Sequence, residues 1–331
     1  MDQETVAFII VTWNNRDIIA GCLDSVLEQT GVHPEIYVLD NGSSDDTVGI
    51  VRGYPQVHLV ESTENLGFAR GNNELIRQAL SDVPVRWVAL VNSDAVLDPD
   101  WTANILGFVA GRPGVAGVQG LTVDYYDHDM VDSQHIYVSK RLQGIQYGYK
   151  LRADRESYFP RKVFGVNAAA AMFSREYIEN QPDPDCYFFD ERFYMYYEDV
   201  DVAYRSLVAG YDSYFVPSSV AYHMGSVSAN KMASMYTVTM TARNHLAVVY
   251  KNTPWPVIVK SMPDFVAGIR DYLRQVRHDH GWTGAWQVLG TYISEFFRLP
   301  VYARSRRAIR KRTRLGADYL RAIMRQDGIR G

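Results

Sequence analysis

Four short apolar runs early in the chain each end in a polar cluster and lead into a stretch with helical spacing. The runs are Val6–Val11, Glu35–Leu39, Val57–Val60 and Trp87–Val91. Continuous apolar runs of this length suit strands of a parallel sheet buried on both faces. Between them, Asp17–Gln29 places Ile18, Ile19, Cys22, Leu23, Val26 and Leu27 on one helical face. Thr47–Arg52 follows the turn chemistry of Asp40-Asn41-Gly42-Ser43-Ser44-Asp45, Phe68–Leu80 reads as a third helix, and Pro99–Ala110 as a fourth with proline in its first turn. Such alternation predicts an α/β fold, an open and mostly parallel Rossmann-like sheet flanked by helices.

In sheets of this kind ligands bind beyond the carboxyl ends of the strands. Thr12-Trp13-Asn14-Asn15, Asp40-Asn41 and Asn92-Ser93-Asp94 all lie at such ends and are expected on one rim. No Gly-x-Gly-x-x-Gly follows the first strand and no Gly-Lys-Ser/Thr loop is present, which argues against a dinucleotide fold and a P-loop ATPase. Asn92-Ser93-Asp94 has two readings. A carboxylate at a strand end can hold Mg²⁺ or Mn²⁺ against a substrate phosphate. The same three residues are also good turn formers, since each can bond its own backbone.

Further along, Gly117–Tyr158 is rich in tyrosine and reads as strands and loops outside the main sheet. The stretch Tyr187–Asp201 sets Asp190, Glu191, Glu198, Asp199 and Asp201 among aromatics, which can desolvate a carboxylate and raise its pKa toward a base's working range. The alternative is an acidic first turn on a helix over Val200–Ala209. His223, after the run Tyr214-Phe215-Val216, is either a structural histidine or a neutral imidazole ligand for a metal at Asp94. From Trp255 the pattern turns helical, over Val257–Val276, Trp282–Phe297 and Ala303–Met324, so residues 1–250 are expected to form the catalytic unit and 251–331 a helical extension.

Two cysteines, Cys22 and Cys186, offer neither metal spacing nor a disulfide framework, which fits a reducing cytoplasmic compartment. No signal peptide is visible, and no apolar stretch approaches the roughly 20 residues of a spanning helix. The net charge of −4 hides an asymmetry: from Arg298 onward eleven Lys or Arg face two acids, so this tail carries +9 and the rest −13. Beyond Arg314, the residues Leu315, Tyr319, Leu320, Ile323 and Met324 share a helical face. A basic amphipathic helix suits an anchor on an anionic membrane surface, peripheral on the inner face of the plasma membrane. A helix packed on the catalytic unit is the alternative. Nucleic acid is not the expected partner, because interleaved stacking aromatics are missing.

Five stretches, in order, resemble inverting family 2 glycosyltransferases of the GT-A fold, near their rhamnosyltransferase-like branch. They are Phe8–Asn14, Val38–Asp45, Asn65–Asn73, Leu90–Asp94, and Phe189–Phe193 through Asp201–Arg205. The resemblance covers about residues 5–225. It implies that Thr12, Asn14 and Asp40 contact base and ribose, with Asp40 accepting from a uracil or thymine N3–H. It implies that Asn65, Gly67, Arg70 and Asn73 line the nucleotide and diphosphate, with Asn92 and Ser93 beside them. Asp94 would be the metal carboxylate for Mg²⁺ or Mn²⁺, His223 a second ligand, and Asp199 of Glu198-Asp199 the general base. One departure is that Asn92 stands where the family's metal motif begins with Asp. The implied donor is a UDP- or dTDP-sugar, dTDP-L-rhamnose first, and the implied acceptor a polyprenyl-diphosphate-linked saccharide. A galactosyl, glucosyl or N-acetylglucosaminyl transferase, a related pyrophosphorylase and a non-catalytic glycan- or nucleotide-binding module are the alternatives. The sequence leaves oligomeric state open, a homo-oligomer included.

Overall fold

A computed structural model describes residues 3–225 and 234–326. Its first half runs β1 (Glu4–Thr12), α1 (Ile19–Leu27), β2 (Val32–Asp40), α2 (Thr47–Val51), β3 (Val57–Glu61), α3 (Gly67–Asp82), β4 (Trp87–Val91), β5 (Ala95–Leu97) and α4 (Trp101–Val109). β1 pairs in parallel with β2 on one side and β4 on the other, and β2 in parallel with β3. Period-two alternation then divides β1 between two cores. Ala7 and Ile9 join the cluster packed under α3, whereas Val6, Phe8 and Ile10 pack with α1 and α4. Every residue from Val6 to Ile10 is fully buried, which is why this strand reads as a continuous apolar run.

The chain continues through β6 (Val115–Asp124), β7 (Val131–Ser133), β8 (His135–Val138), β9 (Gly144–Tyr147), β10 (Arg161–Val163), β11 (Ala170–Ser174), α5 (Arg175–Asn180), α6 (Glu198–Ala209) and β12 (Asp212–His223). The main sheet has the order β10-β12-β6-β11-β4-β1-β2-β3, with β5 on β12 and β7 on β6. This corrects the reading of the tyrosine-rich segment. Only β8 and β9 form a separate ribbon; β6 lies deep in the main sheet, parallel to β12 and antiparallel to β11. Its run Val-Ala-Gly-Val-Gln-Gly-Leu-Thr-Val escaped notice because the glycines and Gln119 break the apolar pattern, although all nine side-chain positions are buried.

The helical extension consists of α7 (Met235–Asn252), α8 (Trp255–Arg298), α9 (Ala303–Arg312) and α10 (Ala317–Gln326). α8 is two limbs joined at Gly281, whose φ of 71° and ψ of −174° lie outside the helical region. The single helix expected over Ala303–Met324 is divided at 313–316. There the Arg314 N–H donates to the Val208 carbonyl at the end of α6 (2.7 Å), and Gly316 follows. Leu320 and Met324 are buried, with Leu315 and Ile323 packed beside them. Of the apolar face expected to lie in a bilayer, Leu320 and Met324 are therefore covered by the protein itself, whereas Tyr319 remains exposed. Asp327 and Arg330 of the basic tail lie outside the described residues. Among the described residues, no helix is long and apolar enough to cross a membrane.

Candidate active site

The carboxyl ends of β1, β2 and β4 form one rim, as the strand pattern implied. At its β1–β2 end, Thr12 and Asp40 stand opposite each other in register, and both are buried. Asp40 Oδ2 accepts from the Gly42 and Ser43 N–H groups (3.2 and 2.9 Å), which fixes the carboxylate. Asp40 Oδ1 and Thr12 Oγ1 are buried without a partner. Unpaired buried polar atoms are costly, so two of them on one rim mark a place shaped for a polar ligand. Asn14 latches the adjoining turn: its φ is 52°, its N–H donates to Ser43 Oγ (2.8 Å), and its Oδ1 accepts from the Ser44 N–H (2.8 Å).

β4 carries the rim to Asn92, Ser93 and Asp94. Ser93 Oγ accepts from Asn15 Nδ2 (2.6 Å), tying the β4 turn to the β1 turn. Antiparallel pairing of β5 with β12 sets His223 across from Ala95, and so brings it to Asp94 across 129 residues of sequence. His223 Nε2 lies 3.2 Å from Asp94 Oδ1 and 3.4 Å from Asn92 Nδ2, while its Nδ1 lies 3.1 Å from Asp132 Oδ2. Burial alone would push this imidazole down. The hydrogen bonds and negative charges of Asp132 and Asp94 outweigh it and hold the pKa up, at about 10. Once a bound cation displaces the Nε2 proton, the Asp94 oxygen and the His223 nitrogen at this spacing, with Asp132 orienting the far ring nitrogen, form a donor set that fits Mn²⁺ or Mg²⁺. Asp132 was missed by the sequence reading. It sits on the three-residue β7, in the segment assigned outside the sheet.

The acids of 187–201 divide into two groups. Glu198 and Asp199 open α6, and Asp199 reaches the β4 end of the rim: the Asn92 N–H bonds the Ala169 carbonyl, and the neighbouring Ala168 N–H bonds Asp199. Burial raises the Asp199 carboxyl to about 6 against its backbone hydrogen bonds. Burial and the charge of Asp199 push Glu198 well above the usual carboxylate range, and Glu198 Oε2 has no partner. The two carboxyls therefore titrate together, with Glu198 the one that burial and its neighbour's charge push higher. Asp190 and Asp201 instead bond the Lys251 ammonium (2.7 and 3.0 Å), which Asp183 also accepts from (2.7 Å). Asp183, Cys186 and Asp190 have ligand-like spacing, but the ammonium already stands among them, so this is an ion-pair network.

Between the two groups runs a loop in which Tyr194, Tyr196 and Tyr197 all have positive φ (65°, 67° and 70°). Non-glycine residues hold such values only where their surroundings impose them. Here Asn244 of α7 places its Nδ2 within 3.0 Å of the carbonyls of Phe193, Met195 and Tyr196. From the other side, Asn65 Oδ1 accepts from the Tyr194 hydroxyl and from the Gly67 N–H (2.9 Å each). Gly67 has φ +78°, and a Cβ there would stand 2.5 Å from the Tyr194 ring, so only glycine fits.

Of two further expected site residues, one is withdrawn from the rim and the other lines a groove beside it, next to Leu39. Asn73 is fully buried and its amide is spent on Phe189 N–H, Phe189 carbonyl and Glu191, so it clamps α3 rather than lining a ligand. Arg70 is half exposed, 3.9 Å from Glu64, and lines an open groove of about 610 Å³ along β3.

Residues 7–181 match the model of glycosyl transferase family 2. The chain belongs to this family. Among its relatives, the succinoglycan biosynthesis protein ExoO of Rhizobium meliloti is 30% identical over 53% of this chain and 49% of its own length. The N-acetylglucosaminyl-diphospho-decaprenol L-rhamnosyltransferase of Mycobacterium tuberculosis is 26% identical over 76% of this chain and 83% of its own. The chain spans a quarter to a half of the length of two of its curated relatives. The mannosyltransferase PcManGT of Pyrobaculum calidifontis, solved with GDP-Man and Mn²⁺, superposes with a TM-score of 0.52 at 20% identity, covering 97% of this chain and 86% of that one. That likeness fixes the fold as GT-A. In this family 2 member, the sequence pointed to the strand ends and the Glu198-Asp199 pair. It carried no signal for Asp132, Asn244 or Lys251, whose positions depend on contacts made far along the chain.

Proposed function

We propose that this family 2 protein is a metal-dependent, inverting glycosyltransferase that moves a sugar from a UDP or dTDP donor to a saccharide hydroxyl in cell-surface polysaccharide synthesis. One observation carries the reading: Asp40 Oδ1 and Thr12 Oγ1 are buried without a partner side by side on the rim, and a third such atom, Glu198 Oε2, belongs to the residue beside Asp199. Asp40 Oδ1 would accept from the N3–H of a uracil or thymine, and Thr12 from the ribose or base. Asn14, Asn65 and Gly67 shape the turns around the nucleotide, with Arg70 and Ser93 at its margins.

Asp94 and His223 would hold Mg²⁺ or Mn²⁺, with Asn92 at the edge of the set and Asp132 accepting from His223 Nδ1. The ion would supply charge compensation on the leaving diphosphate. Asp199 accepts the proton of the attacking hydroxyl as the bond to the anomeric carbon forms and the bond to the diphosphate oxygen breaks. Glu198, protonated, spares Asp199 a second negative charge beside it. With a base and no covalent nucleophile, one displacement inverts the anomeric centre. The relative named as an L-rhamnosyltransferase supports dTDP-L-rhamnose as donor, and its decaprenol-linked substrate supports a polyprenyl-diphosphate-linked acceptor at the inner face of the membrane.

Turnover of a panel of labelled UDP-, dTDP- and GDP-sugars with Mn²⁺ or Mg²⁺ tests this. Transfer from dTDP-L-rhamnose is expected, with product of inverted anomeric configuration. Transfer from a UDP-hexose alone would keep the mechanism and replace the donor, and retention of configuration would overturn the role of Asp199.

A further inference from the structure

The second limb of α8 and the turn after it expose Trp282, Trp286, Ile293, Phe296, Phe297 and Val301. Trp282, Trp286, Ile293 and Phe297 recur at steps of four, seven and four residues, so they form one stripe on the helix. Their exposure is high, 64% for Trp282, 65% for Trp286 and 75% for Phe297. On the opposite face Ala285, Val288 and Tyr292 are buried, so the limb is docked on the protein through one side and presents aromatics on the other. Large apolar side chains grouped in this way on a surface mark a contact site.

Charge identifies the occupant. Between 282 and 317 the one acid is Glu295, and it is buried, whereas Arg298, Arg307, Lys311 and Arg312 are exposed, as is Arg304, which pairs with Asp185 (3.1 Å). The next exposed acid along the chain is Asp318. A second copy of this chain seated on the stripe would bring two such cationic sets together. An anionic surface would neutralise them. Trp and Phe beside Arg and Lys is the composition that favours the boundary between headgroups and acyl chains, the rings entering the boundary and the cations meeting the headgroups.

We infer that the stripe from Trp282 to Val301 seats this protein on an anionic lipid bilayer, with the exposed cations of α9 at the headgroups. The seat is a different surface from the amphipathic face of 315–324, whose Leu320 and Met324 the protein covers. It involves neither the donor site nor Asp199, so its failure and the failure of the proposed transfer reaction are separable.

The test is flotation of the full chain with phosphatidylcholine vesicles and with vesicles containing about 30% phosphatidylglycerol, at low and high salt. Wild-type protein is expected to float with the anionic vesicles, less so at high salt, and its tryptophan emission to shift to the blue. The double variants Trp286→Ser/Phe297→Ser and Arg307→Glu/Lys311→Glu should each lose about tenfold or more of that partitioning. All four side chains are exposed, so both variants should keep wild-type melting temperatures and wild-type turnover with a water-soluble acceptor. Wild-type protein that ignores both vesicles, or double variants that float as well as wild type, would overturn the inference. So would concentration-dependent self-association that Trp286→Ser/Phe297→Ser abolishes, since the stripe would then seat a second copy.

Discussion

At the scale of single residues, the proposed chemistry rests on two carboxyls in unlike surroundings. Asp199 is held at about 6 by burial, so kcat should fall as pH drops below about 6, where the base takes up its proton. Asp199→Asn should remove that acid limb and lower kcat by about 10² to 10⁴ with little change in the donor KM. The same residue makes a stability prediction of opposite sign. Its folded pKa lies above the unfolded value of 3.8, so the cost of keeping it charged is absent below pH 4, grows through pH 6 and is complete above. Two units correspond to up to about 3 kcal/mol, some of it shared with Glu198. Asp199→Asn should therefore resist denaturant better than wild type at pH 8, and the advantage should vanish near pH 4. Asp132 acts through His223. Replacing it with alanine should raise the Mn²⁺ concentration for half-maximal activity by about 10- to 100-fold and also lower the melting temperature of metal-free protein, since it strips a buried imidazole of its carboxylate. Asp132→Asn keeps an acceptor for Nδ1 and should lose less of both.

At the scale of elements, strand ends were legible and the supports of the site were not. Thr12, Asp40 and Asp94 could be placed because a buried parallel strand delivers its last residue to the rim whatever surrounds it. Asp132 could not, since β7 reaches His223 only through the pairing of β6 with β12 inside a sheet whose middle strand reads as broken. Asn73 was misplaced for a related reason: it stands one helical turn beyond Ala69, and its amide turns to the backbone of Phe189. The loop from Tyr194 to Tyr197 shows what such supports do. Its three left-handed residues each cost about 1–3 kcal/mol and are held by the Asn244 amide from α7. Asn244→Ala should release the loop, lower kcat by about 10² and raise the donor KM by less, because the displaced groups border Glu198 and Asp199 and reach the nucleotide turns through the Tyr194–Asn65 bond. Asn244→Asp should be worse than alanine, since a carboxylate would face three carbonyl oxygens with no proton to offer. Equal kcat for the two variants would argue that packing, and not the amide, sets the loop.

At the scale of the whole molecule, the catalytic sheet and the helical extension meet over one buried lysine. Lys251 at the end of α7 is fully buried and bonds Asp183, Asp190 and Asp201, and Asn252 beside it donates to Asp201 (2.7 Å). Arg205 and Arg192 pair with Asp201 and Asp190, so three acids face three cations. Such a network adds little over a well-packed apolar core, yet breaking it is expensive because it strands a charge. Lys251→Met should cost about 3–5 kcal/mol near neutral pH. The sign of its pH dependence follows from the acids left behind. In wild type the ammonium holds the Asp183 carboxyl down at about 2 and Asp190 lower still, so their stabilisation is present above the unfolded value of 3.8 and is lost as pH falls through 2. Without Lys251, Asp183 keeps a backbone N–H, the Cys186 thiol and the nearby charge of Arg205, and burial, less opposed, should lift its pKa above the unfolded value. The variant should consequently recover stability between pH 7 and pH 5, where wild type changes little from this cluster. Urea unfolding at the two pH values measures the difference directly. A variant that loses the same free energy at both would show that the missing contact is packing around the lysine stem rather than its charge.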